Sequence, residues 1–276
     1  MTWNIWLMPD YIFQSPLNEK RAATIASDLL KQDFDILCLQ KDFSDRARRI
    51  LSKALAARYP YQYGPANSGF SLKINSGVWV ASRIPLSDYH EIQFKDSAGI
   101  EWFSRKGAML LTGEFRGHRF QVLATHLQGE EGTNYTSAHQ IVREKQMGQI
   151  VDELLERYAE PNTPLFLCGE FDTPRQDMDH RSQESAVYKW MLAKFGDPQN
   201  HRDFLVTMAD VCGLNDLAID NGGRQDELDY IFVKPGSVKL KTAWSRLILL
   251  HPGWDGRTAR QNLSYRYAME AIVEFE

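Results

Sequence analysis

The sequence predicts an α/β protein in which two β-sheets pack face to face and helices cover their outer sides. Residues 35–40 are almost continuously apolar, which is typical of a strand covered on both faces. Strand-like segments and amphipathic helices recur in two halves of similar pattern, each rich in strands and containing two helices. No composition break, repeat or low-complexity linker interrupts residues 1–276, so we expect a single domain.

The first half begins with a strand and alternates with helices. Asn18 has the side chain of a helix cap, and the apolar residues after it recur at helical spacing as far as about Lys31. The predicted elements are, in order, a strand over residues 2–7, a helix over 18–31, a strand over 35–40, a helix over 45–59, and strand with loop over 61–71.

Strands dominate the middle of the chain. Residues 106–115 and 119–127 are expected to pair as a hairpin across the turn Arg116-Gly117-His118. The other predicted elements here are strands over residues 76–82, 90–94 and 164–168, and a long helix over residues 137–158.

The last part of the chain repeats the mixed pattern. It predicts a helix over residues 183–194, a segment under the core over 204–212, and strands over 228–233, 239–249 and 267–275.

Composition narrows the classes of partner. The 276 residues are 43% apolar and 25% charged, and the net charge is −4. A negative molecule as a whole does not attract nucleic acid or an anionic membrane. We therefore do not expect nucleic-acid binding. Cys38 and Cys168 lie in apolar runs and are expected to be buried, reduced thiols. Nothing at the start resembles a signal peptide, so a chain that begins at Met1 is expected to be cytoplasmic.

Polar side chains gather at the predicted strand ends, where α/β proteins often carry their chemistry. A cation, Lys41, directly follows the apolar run that ends at Gln40, at a point where a metal-dependent enzyme would have a carboxylate. The other strand-end groups are Asn4, His126, Glu170, Asp172, Asp229 and the segment Ser264-Tyr265-Arg266-Tyr267.

The order and context of these motifs resemble the endonuclease/exonuclease/phosphatase superfamily, and within it the neutral sphingomyelinase-like branch. The resemblance runs along nearly the whole chain. The motifs that carry it are Thr2-Trp3-Asn4-Ile5-Trp6, the strand that ends at Gln40, Asn75-Ser76-Gly77-Val78, Ser82-Arg83-Ile84-Pro85, Lys106-Gly107, Ala124-Thr125-His126-Leu127-Gln128, Cys168-Gly169-Glu170-Phe171-Asp172, Leu228-Asp229-Tyr230-Ile231-Phe232 and Leu263-Ser264-Tyr265-Arg266-Tyr267.

The resemblance implies a deoxyribonuclease-like fold of four layers, with two central mixed sheets between helices. It also implies a chemistry in which a divalent cation, usually Mg²⁺, is held by a carboxylate and neutralises phosphoryl oxygens. In such a site a carboxylate positions water, and a His–Asp pair with a second histidine stabilises the transition state. Asn4, Lys106, His126 and Asp229 match the family pattern.

Five residues depart from that pattern. Lys41 stands where the family has its metal-ligand glutamate, Glu170 and Asp172 stand for Asp and Asn, and Tyr265-Arg266 stands for Asp-His. A charged lysine has no lone pair to offer a metal, and arginine stays protonated and so is no general base.

The departures are mutually compensating in charge. Without a metal, repulsion between the close carboxylates of Glu170 and Asp172 is expected to raise the pKa of one of them. Lys41 supplies the missing positive charge. Arg266 is expected to form a bidentate pair with Asp229. The predicted site is therefore a cluster of paired charges that needs no metal.

Three functional interpretations remain open. The first is a catalytically degenerate family member, a pseudoenzyme, whose cleft binds a phosphate-containing ligand or a partner through Lys41, Lys106, His126 and Arg266, with no cofactor expected. The second is a phosphodiesterase or phosphatase that holds Mg²⁺ through Glu170 and Asp172. The third is an interaction module with a vestigial cleft. Trp254 lies in the loop His251-Pro252-Gly253-Trp254-Asp255-Gly256, and because an exposed aromatic hairpin meets membranes in sphingomyelinase-like proteins, the resemblance makes this residue a hypothesis for membrane contact.

Overall fold

The computed structural model describes residues 1–10, 17–130, 136–177, 182–196, 227–248, 250, 263–264 and 266–276. The strands in this part are β1 (Thr2–Leu7), β2 (Ile36–Asp42), β3 (Tyr61–Tyr63), β4 (Trp79–Ser82), β5 (Leu86–Gln93), β6 (Gly107–Phe115), β7 (His118–His126), β8 (Leu165–Glu170), β9 (Asp229–Lys234), β10 (Leu240–Ile248) and β11 (Ala268–Phe275). The helices are α1 (Asn18–Leu30), α2 (Asp45–Leu55), α3 (Ser137–Ile150), α4 (Glu156–Tyr158) and α5 (Ala186–Phe195).

The strands form two mixed sheets. The first has the order β10-β11-β1-β2-β4-β3 and the second the order β5-β6-β7-β8-β9. One parallel pair lies in each, β1 with β2 and β7 with β8, and the remaining pairs are antiparallel. Asn4 is opposite Gln40 in the first sheet, and Glu170 lies between His126 and Asp229 in the second. The polar strand ends therefore meet at one end of the molecule.

Three buried apolar clusters define the layers. One lies between the first sheet and helices α1 and α2, and includes Ile25 and Leu51. Another lies between the second sheet and helices α3 and α5, and includes Met147 and Met191. The third fills the space between the two sheets. This arrangement confirms the predicted face-to-face sheets with helices on their outer sides.

The ends of the helices follow local capping chemistry. Ser44 caps α2, because its hydroxyl accepts the amide of Ala47 at 3.1 Å. The expected cap at Asn18 is wrong: Leu17 is the cap residue of α1, and the Asn18 amide instead donates to Met8 O at 2.7 Å. The side chain of Asn18 therefore joins the start of α1 to the residues that follow β1.

Several strand boundaries also differ from expectation. β4 begins at Trp79 rather than at residue 76, because Gly77 has φ +70 and its amide is taken by Asn75 Oδ1. β5 begins at Leu86 rather than at His90. The long helix is α3, a π-helical stretch Val151–Leu155 and α4 in succession. The expected segment over 204–212 lies outside the described residues.

The state of the cysteines and the length of the helices bear on the environment of the protein. Cys38 and Cys168 are buried and form no disulfide with any residue that the structure describes, which is consistent with reduced thiols in the core. In the part of the chain that the structure describes, no helix combines the length and apolar character needed to cross a membrane.

Candidate functional site

A buried group of charged side chains lies where the strand ends of the two sheets meet. Lys41 comes from β2, Glu170 from β8, Asp172 from the loop after β8, Asp229 from the start of β9, and Arg266 from the segment before β11. We call these five residues the ion cluster. Asn4, from within β1, and His126, from the end of β7, border it.

Glu170 occupies the centre of the ion cluster. Its Oε2 accepts the Asn4 amide at 2.6 Å and lies 3.2 Å from His126 Nε2, while Oε1 accepts from Arg266 Nη2 at 3.2 Å. The ammonium of Lys41 is 3.7 Å from the same Oε1. Burial alone would raise the pKa of this carboxyl group, but the cations, led by Lys41, hold the pKa well below its usual value. Glu170 is therefore ionised.

Arg266 binds three carboxylates at once. Nη1 donates to Asp229 Oδ2 at 2.9 Å, and Nη2 lies 3.2 Å from Glu170 Oε1 and 3.3 Å from Asp172 Oδ1. The side chain is only 4% exposed. Arg266 pairs with Asp229 as expected, but through Nη1, while Nη2 is shared between Glu170 and Asp172. A guanidinium group that contacts three carboxylates balances more buried negative charge than one that pairs with a single carboxylate.

Asp172 and Asp229 have carboxyl groups that resist ionisation. Burial raises the pKa of Asp172 to about 7, and the charge of Glu170 adds to the effect. Burial also raises the pKa of Asp229 to about 6, against the lowering effect of Arg266. The expected repulsion between the close carboxylates is thus present, and Asp172 is the group that carries the raised pKa.

Lys41 and Asp172 both have left-handed backbone conformations. Lys41 has φ +55 and Asp172 has φ +48. Such conformations are uncommon outside glycine and cost about 1–3 kcal/mol each, so the surrounding contacts must hold them. The side chain of Lys41 is 20% exposed and lies at the mouth of the cluster.

His126 is a neutral imidazole. It is fully buried, and burial, with the nearby charge of Lys106, keeps its pKa well below the ordinary value. Neither ring nitrogen makes a hydrogen bond to any residue that the structure describes, although Nε2 lies 3.2 Å from Glu170. The ring therefore borders the acids as a neutral, buried group.

Lys106 lies beside the ion cluster and has its own counter-ion. Its ammonium contacts Glu101 Oε1 at 2.5 Å and donates to Leu127 O at 2.6 Å. Glu101 Oε2 also accepts the amide of Gly129 at 3.0 Å. Sequence reasoning missed Glu101, since it lies in the 3₁₀ helix Gly99–Phe103 and is part of no family motif, although Lys106 follows it five residues later.

Two further side chains that sequence reasoning missed hold the Arg266 segment in place. The indole of Trp3 donates to Arg266 O at 2.9 Å, and Arg21 Nε donates to Leu263 O at 3.0 Å. Arg21 is buried on the core-facing side of α1, and an arginine in that apolar stripe is the one signal that could have indicated its role. Tyr265 and Trp254 lie outside the described residues.

The divalent cation that the resemblance implies would have to be bound by the side chains of this site. Ligand atoms of His126, Glu170 and Asp172 lie within 4.8 Å of one another. Mg²⁺ prefers oxygen ligands in octahedral geometry, whereas imidazole favours transition metals. Arg266 already contacts both carboxylates, and Lys41 lies beside one of them. A divalent cation bound to these carboxylates would be repelled at close range by the positive charges of Arg266 and Lys41. The residues present therefore do not fit a resident Mg²⁺.

Comparison with known proteins gives the same placement as the motifs. The family model for the Endonuclease/Exonuclease/phosphatase family matches residues 1–251. Phospholipase C of Staphylococcus aureus is 22% identical over 272 residues, covering 91% of this chain and 78% of its own. Sphingomyelinase C of Leptospira interrogans is 24% identical over 187 residues, which are 62% of this chain and 34% of its own length.

Solved structures share the fold. The beta toxin of Staphylococcus aureus superposes with a TM-score of 0.83 at 21% identity, covering 99% of this chain and 98% of the toxin. Sphingomyelinase C from Streptomyces griseocarneus gives 0.78 at 22% identity, covering 99% of this chain and 97% of its own. The expected deoxyribonuclease-like, four-layer fold is confirmed. The chain belongs to the Endonuclease/Exonuclease/phosphatase family, and its similarity to sphingomyelinase C and phospholipase C sequences agrees with the predicted sphingomyelinase-like branch.

Proposed function

We propose that this protein has the sphingomyelinase-like fold without Mg²⁺-dependent hydrolysis, and that the mouth of its cleft binds a phosphate-containing ligand. One observation carries the proposal: a buried guanidinium, Arg266, contacts Asp229, Glu170 and Asp172 at 2.9–3.3 Å. A permanent cation thus takes the place of a metal and of a proton-accepting histidine at the same time.

The proposed loss of hydrolysis involves two separate requirements of the chemistry, the metal ion and the general base. Metal catalysis of phosphoryl transfer needs a divalent charge on the phosphoryl oxygens, and Lys41 and Arg266 oppose one here. General base catalysis needs a group that releases and accepts a proton near the working pH, and arginine does neither. His126 is neutral but buried among the cluster, without the histidine partner of Asp229 that the family pattern has.

Charge at the mouth of the cleft supports an anionic ligand. Lys41 is its partly exposed cation, and Arg266 lies behind it. With Asp172 at a pKa of about 7 and Asp229 at about 6, protonation below neutral pH removes negative charge from the cluster. Affinity for a phosphate diester, whose own charge does not change in that range, is therefore expected to rise as the pH falls.

The test is calorimetric titration of Mg²⁺, and separately Mn²⁺, into chelator-treated protein. Wild type is compared with Lys41→Glu, with Arg266→His and with the double variant, and Arg246→His is the surface control. The proposal expects no Mg²⁺ binding by wild type and restored binding in the double variant. Tight binding of Mg²⁺ by wild type would overturn it.

Ligand binding is measured separately, with phosphocholine as the probe. Wild type is expected to bind it, and Lys41→Ala is expected to weaken binding by about tenfold, the effect of one charge-assisted hydrogen bond. Equal affinity of wild type and Lys41→Ala for phosphocholine would show that the mouth of the cleft is not the anion site.

A second candidate is a phosphodiesterase with shifted ligands, in which Glu170 and Asp172 hold a divalent cation. The specific observation in its favour is Asp172 Oδ2, which is buried and makes no hydrogen bond to the residues described, within the His126–Glu170–Asp172 group. Under this candidate wild type binds Mn²⁺, and Glu170→Gln and Asp172→Asn each abolish that binding.

A further inference from the structure

A large cavity opens between the two sheets, at the end of the molecule away from the ion cluster. Its volume is about 670 Å³, and sites for small molecules have volumes of about 300–1,000 Å³. Cys38 of β2 and Cys168 of β8 line it, together with the turn between β6 and β7 and the end of β11. The ion cluster takes Lys41 and Glu170 from later positions in the same two strands. The cavity is therefore separate from the cleft.

The walls of the cavity are mainly apolar. The rings of Phe120 and Phe166 pack edge to face with centres 6.1 Å apart, and Phe275 continues the row at 6.4 Å from Phe166. Cys168 and Ile231 are buried members of the lining. Such walls bury a hydrocarbon or aromatic body without leaving a hydrogen bond unmade.

The acids of the cavity already have counter-ions. Among the residues that the structure describes, five acids line the cavity, and each lies within 3.6 Å of a cationic side chain. The pairs are Asp33–Arg83, Asp35–Arg83, Glu270–Arg246, Glu274–Lys241 and Glu276–Lys239. Their negative charge is therefore balanced, and it offers little to a cationic ligand.

Arg116 is a lining cation without such a counter-ion. It is exposed in the turn between β6 and β7, and its guanidinium carbon lies 5.1 Å from the ring centre of Phe115. It forms no ion pair with any residue in the described part of the chain, whereas Arg119 and Lys241, which also line the cavity, both contact acids. An uncompensated guanidinium thus borders an apolar cavity.

We propose that this cavity binds an apolar monocarboxylate, with its apolar body between the sheets and its carboxylate against the guanidinium of Arg116. Sites for small molecules combine apolar walls with a few polar groups that fix orientation, and arginine binds a planar carboxylate through two parallel N–H donors. The inference goes beyond the proposed function and does not depend on it, because no residue of the ion cluster takes part.

The test is calorimetric titration of the full chain with dodecanoate below the concentration at which it forms micelles. Wild type is expected to bind dodecanoate but neither dodecyltrimethylammonium, which has the opposite charge, nor acetate, which lacks the apolar body. Arg116→Ala is expected to weaken binding about tenfold, the effect of one charge-assisted hydrogen bond. The matched control is Arg46→Ala, which removes an exposed arginine of α2 outside the cavity lining and is expected to bind like wild type.

A second variant tests the apolar part of the site. Ala271 lines the cavity from β11 and is half-buried, so Ala271→Phe places a ring in the space that the ligand would occupy. Binding of dodecanoate should be lost, and a melting temperature no lower than that of wild type would show that the ring displaces no packed side chain. Should this variant fail to fold, the exposed arginines and the series of ligands still decide the question.

Several results would overturn the proposal: no binding of dodecanoate by wild type, equal affinity for dodecyltrimethylammonium, or equal affinity of Arg116→Ala and wild type. A wild-type dimer that Ala271→Phe dissociates would assign the cavity to a second copy of the chain instead. A loss of dodecanoate binding in Lys41→Ala as large as that in Arg116→Ala would place the ligand in the cleft.

Titration with phosphocholine separates the cavity from the proposed function. Arg116→Ala is expected to leave the affinity for phosphocholine unchanged. Binding of dodecanoate without binding of phosphocholine would reject the cleft ligand and leave the cavity site standing.

Discussion

The guanidinium of Arg266 lies 2.9 Å from the carboxylate of Asp229, and both groups are buried. The same guanidinium extends to Glu170 and Asp172, so one permanent cation neutralises acids from β8, the following loop and β9. Charge balance at this end of the molecule depends on this residue, with Lys41 as the second cation.

Replacing Arg266 by methionine is expected to destabilise the protein strongly. Arg266→Met keeps most of the packing but leaves buried acids without their counter-ion, which costs about 3–5 kcal/mol in the free energy of unfolding. Urea unfolding measures it. The control is Arg246→Met, whose salt bridge to Glu270 involves a side chain that is 57% exposed and is worth less than about 1 kcal/mol. Equal losses in the two variants would contradict the central role of Arg266.

Removing the charge of Glu170 is expected to lower the pKa of Asp172. Burial is the first cause of the value of about 7, and the charge of Glu170 is the second, so Glu170→Gln removes only the second. The pKa should fall but stay above that of an exposed aspartate. Carbon-detected NMR titration of the Asp172 carboxyl group measures the change, and a pKa that stays or rises would show that the two acids do not interact as inferred.

A methyl group at Gly169 is expected to disrupt the junction of β7 and β8. An added Cβ would lie 2.1 Å from Thr125 O, and φ is +151. Gly169→Ala should cost about 3 kcal/mol or more, because clash adds to backbone strain. Gly117→Ala is the control: φ is +82, nothing lies within 4 Å of its Cβ, and strain alone costs about 1 kcal/mol. Similar melting temperatures for the two variants would exclude the clash.

Asp42 is expected to make the stability of this protein depend on pH. Its carboxyl group is buried, neither oxygen has a hydrogen-bond partner among the described residues, and burial raises its pKa to about 7. Because the folded pKa lies above the unfolded one, the folded state favours the proton. This stabilisation is complete below about pH 4 and is lost as the pH rises to about 7.

Asp42→Asn carries no such titration, so its stability relative to wild type should increase between those two pH values and stay constant above them. The measurement is the free energy of unfolding across that range. Asp45→Asn is the control, since the side chain of Asp45 is 67% exposed. A difference between Asp42→Asn and wild type that does not change with pH would mean that Asp42 titrates normally in the folded protein.

The sequence by itself determined the layers and the location of the site. The apolar run of β2 and the amphipathic pattern of α2 required burial on known faces, and burial of faces is what hydrophobic periodicity encodes. Strand ends at Asn4, His126 and Glu170 indicated where polar groups would meet, since parallel neighbours end at the same edge.

Only the tertiary structure decided which charge contacts which. The sharing of Arg266 among three acids depends on distances of about 3 Å between segments far apart in the chain. The pairing of Lys106 with Glu101 and the use of Asn18 as an anchor are contacts between near neighbours in the chain, and they depend on how the turns between them fold. The exposed apolar side chains of Phe70 and Trp102 give the same kind of result, because residues 68–74 and 99–103 become neighbours only through the Ile74–Ser104 bridge. Periodicity reports which face is buried, whereas ion pairing and patch formation depend on how the packed elements approach one another.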